Sequence, residues 1–198
     1  MTTGMPGLDQ VLKGLLPGDN VVWRVDAVED YQVMVTPYCE AALASGKKLV
    51  YFRFARHQPL LSPDSGAEVH ELDPEQGFDN FITAIHAVIQ SAGPGAFYVF
   101  DCLSKLAADW YSDQMLANFF MLTCPYLYDL ETVAYFAVYR NYHTSHALAP
   151  IQETTQLFLD VYRHKEEIYV RPVKVQQRYS PTMNMLHAQR GGEFTTIT

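Results

Sequence analysis

Four basic side chains stand near the ends of two predicted strands, where α/β proteins bind ligands. Arg53, Arg56 and His57 lie at or just past the end of the second predicted strand, and Arg140 directly follows a later one. The carboxyl ends of parallel strands meet at one edge of a sheet, and arginine offers a planar fork of donors to a carboxylate or phosphate. One interpretation is therefore a compact site for a small anionic ligand.

A second interpretation is that the same arginines neutralise a crowded acidic edge. Arg56 and Arg140 would then form ion pairs with carboxylates that follow neighbouring strands. The acids in question are Asp26, Glu29, Asp30 and Asp101. We favour ion pairing, and ligand binding remains the alternative.

The remaining polar residues predict no metal, cofactor or nucleophile site. Cys39, Cys102 and Cys124 are odd in number and lack CxxC spacing, which indicates buried free thiols in a reducing compartment. His143 and His146 form the one His-x-x-His pair, in a predicted loop, and are expected at the surface. No GxSxG segment surrounds a serine, so hydrolase chemistry has no support.

The charge and hydropathy of the chain argue against two classes of partner. Among 198 residues, 14 Lys and Arg face 22 Asp and Glu, which gives a net charge of -8. Such a chain repels phosphates, so nucleic-acid binding is not expected. No basic region precedes an apolar stretch at the start, and no apolar run approaches the roughly 20 residues that cross a bilayer. We therefore expect a cytoplasmic protein without membrane contact.

Alternating strand and helix patterns predict an α/β fold with a mainly parallel sheet. Apolar residues three and four apart predict helices, and short β-branched or aromatic runs between turn residues predict strands. The predicted strands are 20–25, 48–54, 68–72, 96–100, 132–139, 157–162 and 167–175, and the predicted helices are 29–43, 81–89 and 113–128. The last two strands suit a C-terminal β-hairpin. We expect one domain over 1–176 and an irregular, loosely attached tail over 177–198.

The opening of the chain carries a family resemblance. Residues 3–9 read TGMPGLD, and residues 16–19 read LPGD and precede a hydrophobic strand that ends at Val25. This order resembles the start of a KaiC/RadA-type RecA-like ATPase domain. The resemblance implies a three-layer P-loop NTPase fold, in which a glycine-rich loop follows the first strand and wraps the phosphates of ATP.

The residues that would bind ATP in that family are absent from the matching loop. In place of the GxxxxGK[ST] pattern, the loop contains Val25, Asp26, Glu29, Asp30, Tyr31 and Gln32. Val25 and Asp30 replace the glycines, and Tyr31 replaces the lysine. Acidic groups at a helix start suit the helix dipole and repel a phosphate. We expect a compact turn whose acidic side chains cap the following helix, a degenerate Walker A segment.

One further element of the family is retained. The strand ending in Asp101 resembles a Walker B strand, although an Asp at a strand end is more often a cap than a metal ligand. The family's catalytic glutamate pair corresponds to Ala55 and Arg56 here, so the general base is missing. The resemblance therefore implies a catalytically inactive RecA/KaiC-like domain that serves as a binding, regulatory or assembly module.

Two alternatives accompany this functional prediction. Residues 171–175 and 178–183 look like a segment of RecA-like domains at the front of phosphoenolpyruvate synthase or pyruvate phosphate dikinase-like proteins. That similarity implies an accessory domain that binds a small anionic ligand, with phosphotransfer in other domains. The other alternative is residual ATP binding.

Aromatic residues are dense in the second half of the chain. Most are expected in the core, and any exposed ones would support self-association or docking to a protein partner. The set comprises Trp110, Tyr111, Phe119, Phe120, Tyr126, Tyr128, Tyr135, Phe136, Tyr139 and Tyr142.

Overall fold

The computed structural model describes residues 1–110, 112–190 and 193–197, in which strands and helices alternate for most of the chain. The elements in these residues are α1 (Pro6–Leu12), β1 (Asn20–Val25), α2 (Val28–Ala44), β2 (Leu49–Arg53), β3 (Glu68–Glu71), α3 (Phe78–Ala92), β4 (Phe97–Cys102), α4 (Ser104–Asp109), α5 (Asp113–Asp129), β5 (Val133–Tyr139), α6 (Ser145–Thr154), β6 (Leu157–His164), β7 (Glu167–Val175), β8 (His187–Arg190) and β9 (Glu193–Thr196).

All of these strands belong to one mixed sheet. Its strand order is β3-β2-β4-β5-β1-β6-β7-β8-β9. The pairs from β3 through β6 are parallel, and β7, β8 and β9 each pair antiparallel with the strand before them. The predicted α/β class is confirmed, with an antiparallel extension added to a parallel block.

Helices cover both faces of the parallel block because its strands are buried on both sides. Successive side chains of a strand point to opposite faces, so Val21 and Trp23 pack in the cluster that contains α1 and α2. Val22 lies in the opposite cluster, with α3, α4, α5 and α6. The apolar residues on both faces of β1 are what a doubly covered strand requires.

Aromatic pairs fill both layers of the core. On the α2 side, Tyr38 stacks on Tyr135 with ring centroids 3.8 Å apart. On the other side, Phe100 stacks on Phe136 at 4.4 Å. Most of the aromatic second half is therefore core, as expected. Tyr128 and Tyr142 are exposed, and Tyr111 lies outside the described residues.

The outer strand β3 is polar and exposed. Glu68 forms an ion pair with Lys48 at 3.0 Å, and His70 Nε2 lies 2.7 Å from a Glu68 oxygen. Glu71, at the end of the strand, pairs with Arg53. Charged side chains thus line this edge of the sheet.

The tail predicted as irregular over 177–198 has no helix or strand up to residue 186, but forms two strands beyond it. β8 pairs with β7, and β9 pairs with β8, so the segment extends the sheet. Arg178 anchors the segment with two hydrogen bonds, of 2.6 and 2.8 Å, to the buried carboxylate of Asp19. Four-residue polar strands gain their stability from these long-range partners, which local sequence patterns do not show.

Within the described residues, no helix combines the length and apolar character that a bilayer crossing requires.

All three cysteines lie within the described residues, buried and unpaired. Burial, followed by the charge of Glu40, raises the pKa of Cys39 to about 12, and burial raises that of Cys102 to about 11. These thiols are poorly nucleophilic at neutral pH.

We predict that Gly7→Ala destabilises the protein. A Cβ at this position would sit 2.5 Å from the backbone nitrogen of Phe194, so α1 and β9 would have to separate. The expected loss is about 1–3 kcal/mol, seen as a lower thermal midpoint by circular dichroism. Gln10→Ala, at an exposed position of the same helix, is the control. An unchanged midpoint for Gly7→Ala would mean that β9 does not pack on α1 in solution.

Candidate functional site

The turn between β1 and α2 is short and filled by ion pairs. The N-cap residue of α2 is Ala27, and no side chain caps the helix, so the predicted acidic cap is wrong. Asp26 instead pairs with Arg140 at 2.9 Å, and Asp30 pairs with Arg163 at 2.6 Å. A guanidinium is a stronger partner for a carboxylate than a backbone N–H, which accounts for the difference.

Tyr31 and Gln32 take up internal contacts at the positions matched to the phosphate-binding lysine and hydroxyl. Tyr31 is fully buried, and its hydroxyl donates to the carbonyl of Phe100 at 3.1 Å. Burial raises the pKa of Tyr31 well above its ordinary value, so the ring is a neutral core residue. The Gln32 amide donates to the carbonyl of Leu60 at 3.2 Å. Both side chains tie α2 to its surroundings.

Asp101 is a buried carboxylate whose oxygens are occupied. One oxygen accepts hydrogen bonds from the backbone nitrogens of Phe54 and Ala55, both at 2.9 Å. The other accepts from the hydroxyl of Tyr51 and lies 3.5 Å from Nε2 of His57. Burial, then the negative charge of Asp101, raises the pKa of Tyr51 above its usual range. This Walker B-like residue fixes the loop that follows β2.

The four predicted anion-binding residues do not form one compact site. Arg53 pairs with Glu71 at 3.5 Å, and the exposed Arg56 pairs with Glu75 at 3.3 Å. Arg56 thus finds an acid outside the predicted set. Glu71 ends β3 and Glu75 follows it, so both arginines pair at that side of the sheet edge.

Arg140 pairs with Asp26, one of the acids that the ion-pairing interpretation named. Besides Asp26, it contacts Asp160 at 3.3 Å and donates to the carbonyl of Val161 at 2.7 Å. Its guanidinium lies 4.0 Å from the centre of the Tyr162 ring. Nε, Nη1 and Nη2 of Arg140 therefore all donate to partners within the described residues.

Arg24 joins the same network and was missed by the sequence analysis. It donates from Nε and Nη2 to the two oxygens of Asp160, the second bond at 2.6 Å. The hydrogen bonds to Asp160 raise the pKa of Arg24 further, although burial acts against them. The alternation of a strand places Arg24 and Asp160 side by side on β1 and β6, and only the pairing of the strands reveals it.

A cleft of about 630 Å³ opens at the carboxyl edge beside this network. It lies past the ends of β2, β3, β4 and β5, where ligands bind in open α/β sheets. Its lining includes Phe54, Arg56, His57, Leu72, Lys105 and Tyr139. Arg56 and His57 are therefore the two predicted ligand residues that reach one cavity.

A serine, a histidine and an aspartate form a hydrogen-bonded chain behind the cleft. Oγ of Ser104 lies 2.7 Å from Nε2 of His143, and Nδ1 of His143 lies 2.7 Å from a carboxylate oxygen of Asp113. The His143 side chain is 0% exposed, so its predicted surface position is wrong. His146 lies at an exposed position of α6. The sequence analysis missed this cluster, because no nucleophile motif surrounds Ser104.

Comparison with known proteins adds no assignment to these observations. No protein-family model matches the chain, and none of the curated proteins matches it. In the residues that the structure describes, no group of three or more His, Cys, Asp or Glu is arranged to hold a metal ion.

We predict that Asp113→Asn lowers stability at neutral pH and that the loss fades in acid. Burial acts to raise the pKa of Asp113, but hydrogen bonds from His143 and Thr144 outweigh it, and the net pKa is lowered. A carboxyl with a lowered folded-state pKa stabilises the fold above its unfolded pKa, near 3.9. That contribution disappears as pH falls through the folded value.

Thermal midpoints of the native chain and the variant, measured from pH 7 to pH 3, check this prediction. Asp79→Asn is the matched control, because Asp79 also lies in the first turn of a long helix. Its carboxylate has no hydrogen-bond partner in the described part of the chain. Equal midpoints for native protein and Asp113→Asn at pH 7 would contradict the assignment.

Proposed function

We propose that this chain is a RecA-like module that does not hydrolyse ATP and acts by binding a protein partner, a second copy of itself being the first candidate. The observation that carries the proposal is the fate of the residues matched to the ATPase site. Tyr31 and Asp101 are fully buried, and their polar atoms form hydrogen bonds within the fold. A nucleotide would have to displace core contacts to use them.

The architecture supports the same proposal. Six parallel strands with helices on both faces, followed by antiparallel strands, are compatible with the three-layer fold that the opening motif implies. At the edge where phosphates would lie, Asp26 and Asp160 occupy the guanidinium of Arg140. The carboxylates of Asp26 and Asp160 therefore take the place on Arg140 that a phosphate would need.

An apolar stripe on α5 supports binding to another protein. Met121, Leu122 and Tyr128 are 45%, 52% and 41% exposed. Residues three to four apart share one face of a helix, so Met121 and Leu122 lie on the same side as Pro125, and Tyr128 continues the row. Apolar side chains grouped in this way mark interaction surfaces more often than scattered ones do.

We predict that ATP neither stabilises the protein nor is hydrolysed by it. ATP at 10 mM with a Kd of 1 mM would add about 1.4 kcal/mol of stability, a measurable rise in thermal midpoint. Differential scanning fluorimetry with Mg-ATP and a phosphate-release assay check the prediction. Magnesium sulfate at equal ionic strength is the control. A rise in midpoint that needs both ATP and magnesium would refute the proposal.

We predict that the chain self-associates at high micromolar concentration and that Leu122→Glu weakens the association at least tenfold. A charge in the apolar stripe must be desolvated when the surface is covered. Sedimentation velocity over a concentration series gives the dissociation constant. Met185→Glu, a charge at an exposed apolar residue in a different region, is the matched control. A native chain that stays monomeric at high micromolar concentration would contradict this prediction.

The cleft favours a second candidate function, the binding of a small anionic ligand. Arg56 and Lys105 supply positive charge to its lining, which also contains the acids Asp73, Glu75 and Asp109. Nε2 of His57 is buried and makes no hydrogen bond in the described residues, although the Asp101 carboxylate lies 3.5 Å away. Isothermal titration with phosphoenolpyruvate and with inorganic phosphate tests this candidate. Binding that Arg56→Ala abolishes and Arg163→Ala leaves intact would support it, and no heat with either ligand would exclude it.

A further inference from the structure

The hydrogen-bonded chain of Ser104, His143 and Asp113 has the connectivity of an activated serine. Nδ1 of His143 faces a carboxylate, so the proton resides there, and Nε2 is left with a lone pair toward the serine hydroxyl. Ser104 therefore donates its O–H to Nε2 across 2.7 Å. The nucleophile contacts a base, and a third group orients that base.

Three separate elements hold these side chains in register. Ser104 is the first residue of α4, directly after β4, and Asp113 is the first residue of α5. His143 lies between β5 and α6, where the next residue, Thr144, donates its backbone N–H to the second oxygen of Asp113 at 3.1 Å. The carboxylate is thereby fixed from two sides, and the imidazole orientation follows.

The cluster lies directly behind the wall of the cleft. Tyr139 lines the cleft, and its backbone N–H donates to Oγ of Ser104 at 2.8 Å. Lys105, the next residue after the serine, lines the cleft as well. The side chains of Ser104 and His143 are enclosed, and the half-exposed ring of Tyr142 packs edge-on against the imidazole at 5.1 Å.

We propose that Ser104 is an acyl-acceptor serine, activated by His143 and Asp113, which takes the acyl group of a small activated ester when Tyr142 swings away. Oγ attacks the ester carbonyl, and its proton passes to Nε2 of His143. The C–O bond to the alcohol then breaks, and the alcohol leaves with that proton. An acyl-serine remains. This reactivity is independent of the proposed ATP-free binding function.

A fluorophosphonate probe tests the proposal on the intact chain. Attack by Oγ forms a P–O bond and expels fluoride, and the proton leaves through His143. We expect slow labelling of Ser104, located by peptide mass spectrometry. Labelling should be several-fold faster in Tyr142→Ala, and at least about 100-fold slower in His143→Gln, because a general base contributes that much or more. Ser104→Ala should lose the label.

The variants separate reactivity from folding. Tyr142 is 52% exposed, so its truncation leaves the core intact and keeps the test valid even if Ser104→Ala unfolds. Ser62, on a surface turn without a histidine contact, serves as the internal control for background labelling. Absence of label on Ser104 in both the native chain and Tyr142→Ala overturns the proposal. A labelling rate that His143→Gln does not change overturns it as well.

Discussion

The carboxylate of Asp101 is the constraint on which the carboxyl edge of the sheet depends. A charge that is fully buried is tolerated only when donors surround it. Tyr51 and the backbone of Phe54 and Ala55 provide those donors, which sets the path of the chain as it leaves β2. The same path forms one wall of the cleft. Asp101, which resembles a metal ligand in the sequence, anchors a loop in the structure.

Charge compensation extends from that anchor along the whole edge. Arg24, Arg140 and Asp160 form a connected group in which each charge meets its opposite, and Arg163 neutralises Asp30 nearby. Because the partners come from different strands, the network also ties β1, β5 and β6 together at their ends. The charges named here are thus paired with one another, and the cleft lies at the same edge of the sheet.

Local patterns predicted the central elements well, and long-range contacts account for what they missed. The predicted bounds of β1 match the structure, because four of its six residues are apolar, as burial on both faces favours. β8 and β9 are polar and short, so only pairing reveals them. The burial of His143 likewise depends on Ser104 and Asp113, which are 39 and 30 residues away in sequence. No spacing rule connects residues so far apart.

The polar outer strand β3 has a consequence for the behaviour of the protein at high concentration. A strand at the edge of a sheet has one unpaired side, on which another chain can add a strand. Such addition is the first step toward fibrous aggregates. The edge strand β3 has only four residues, and three of them are the polar or charged Glu68, His70 and Glu71. Pairing β3 of a second copy along this edge would bring like charges together across the new strand pair. The sheet is thus protected against growth on this side.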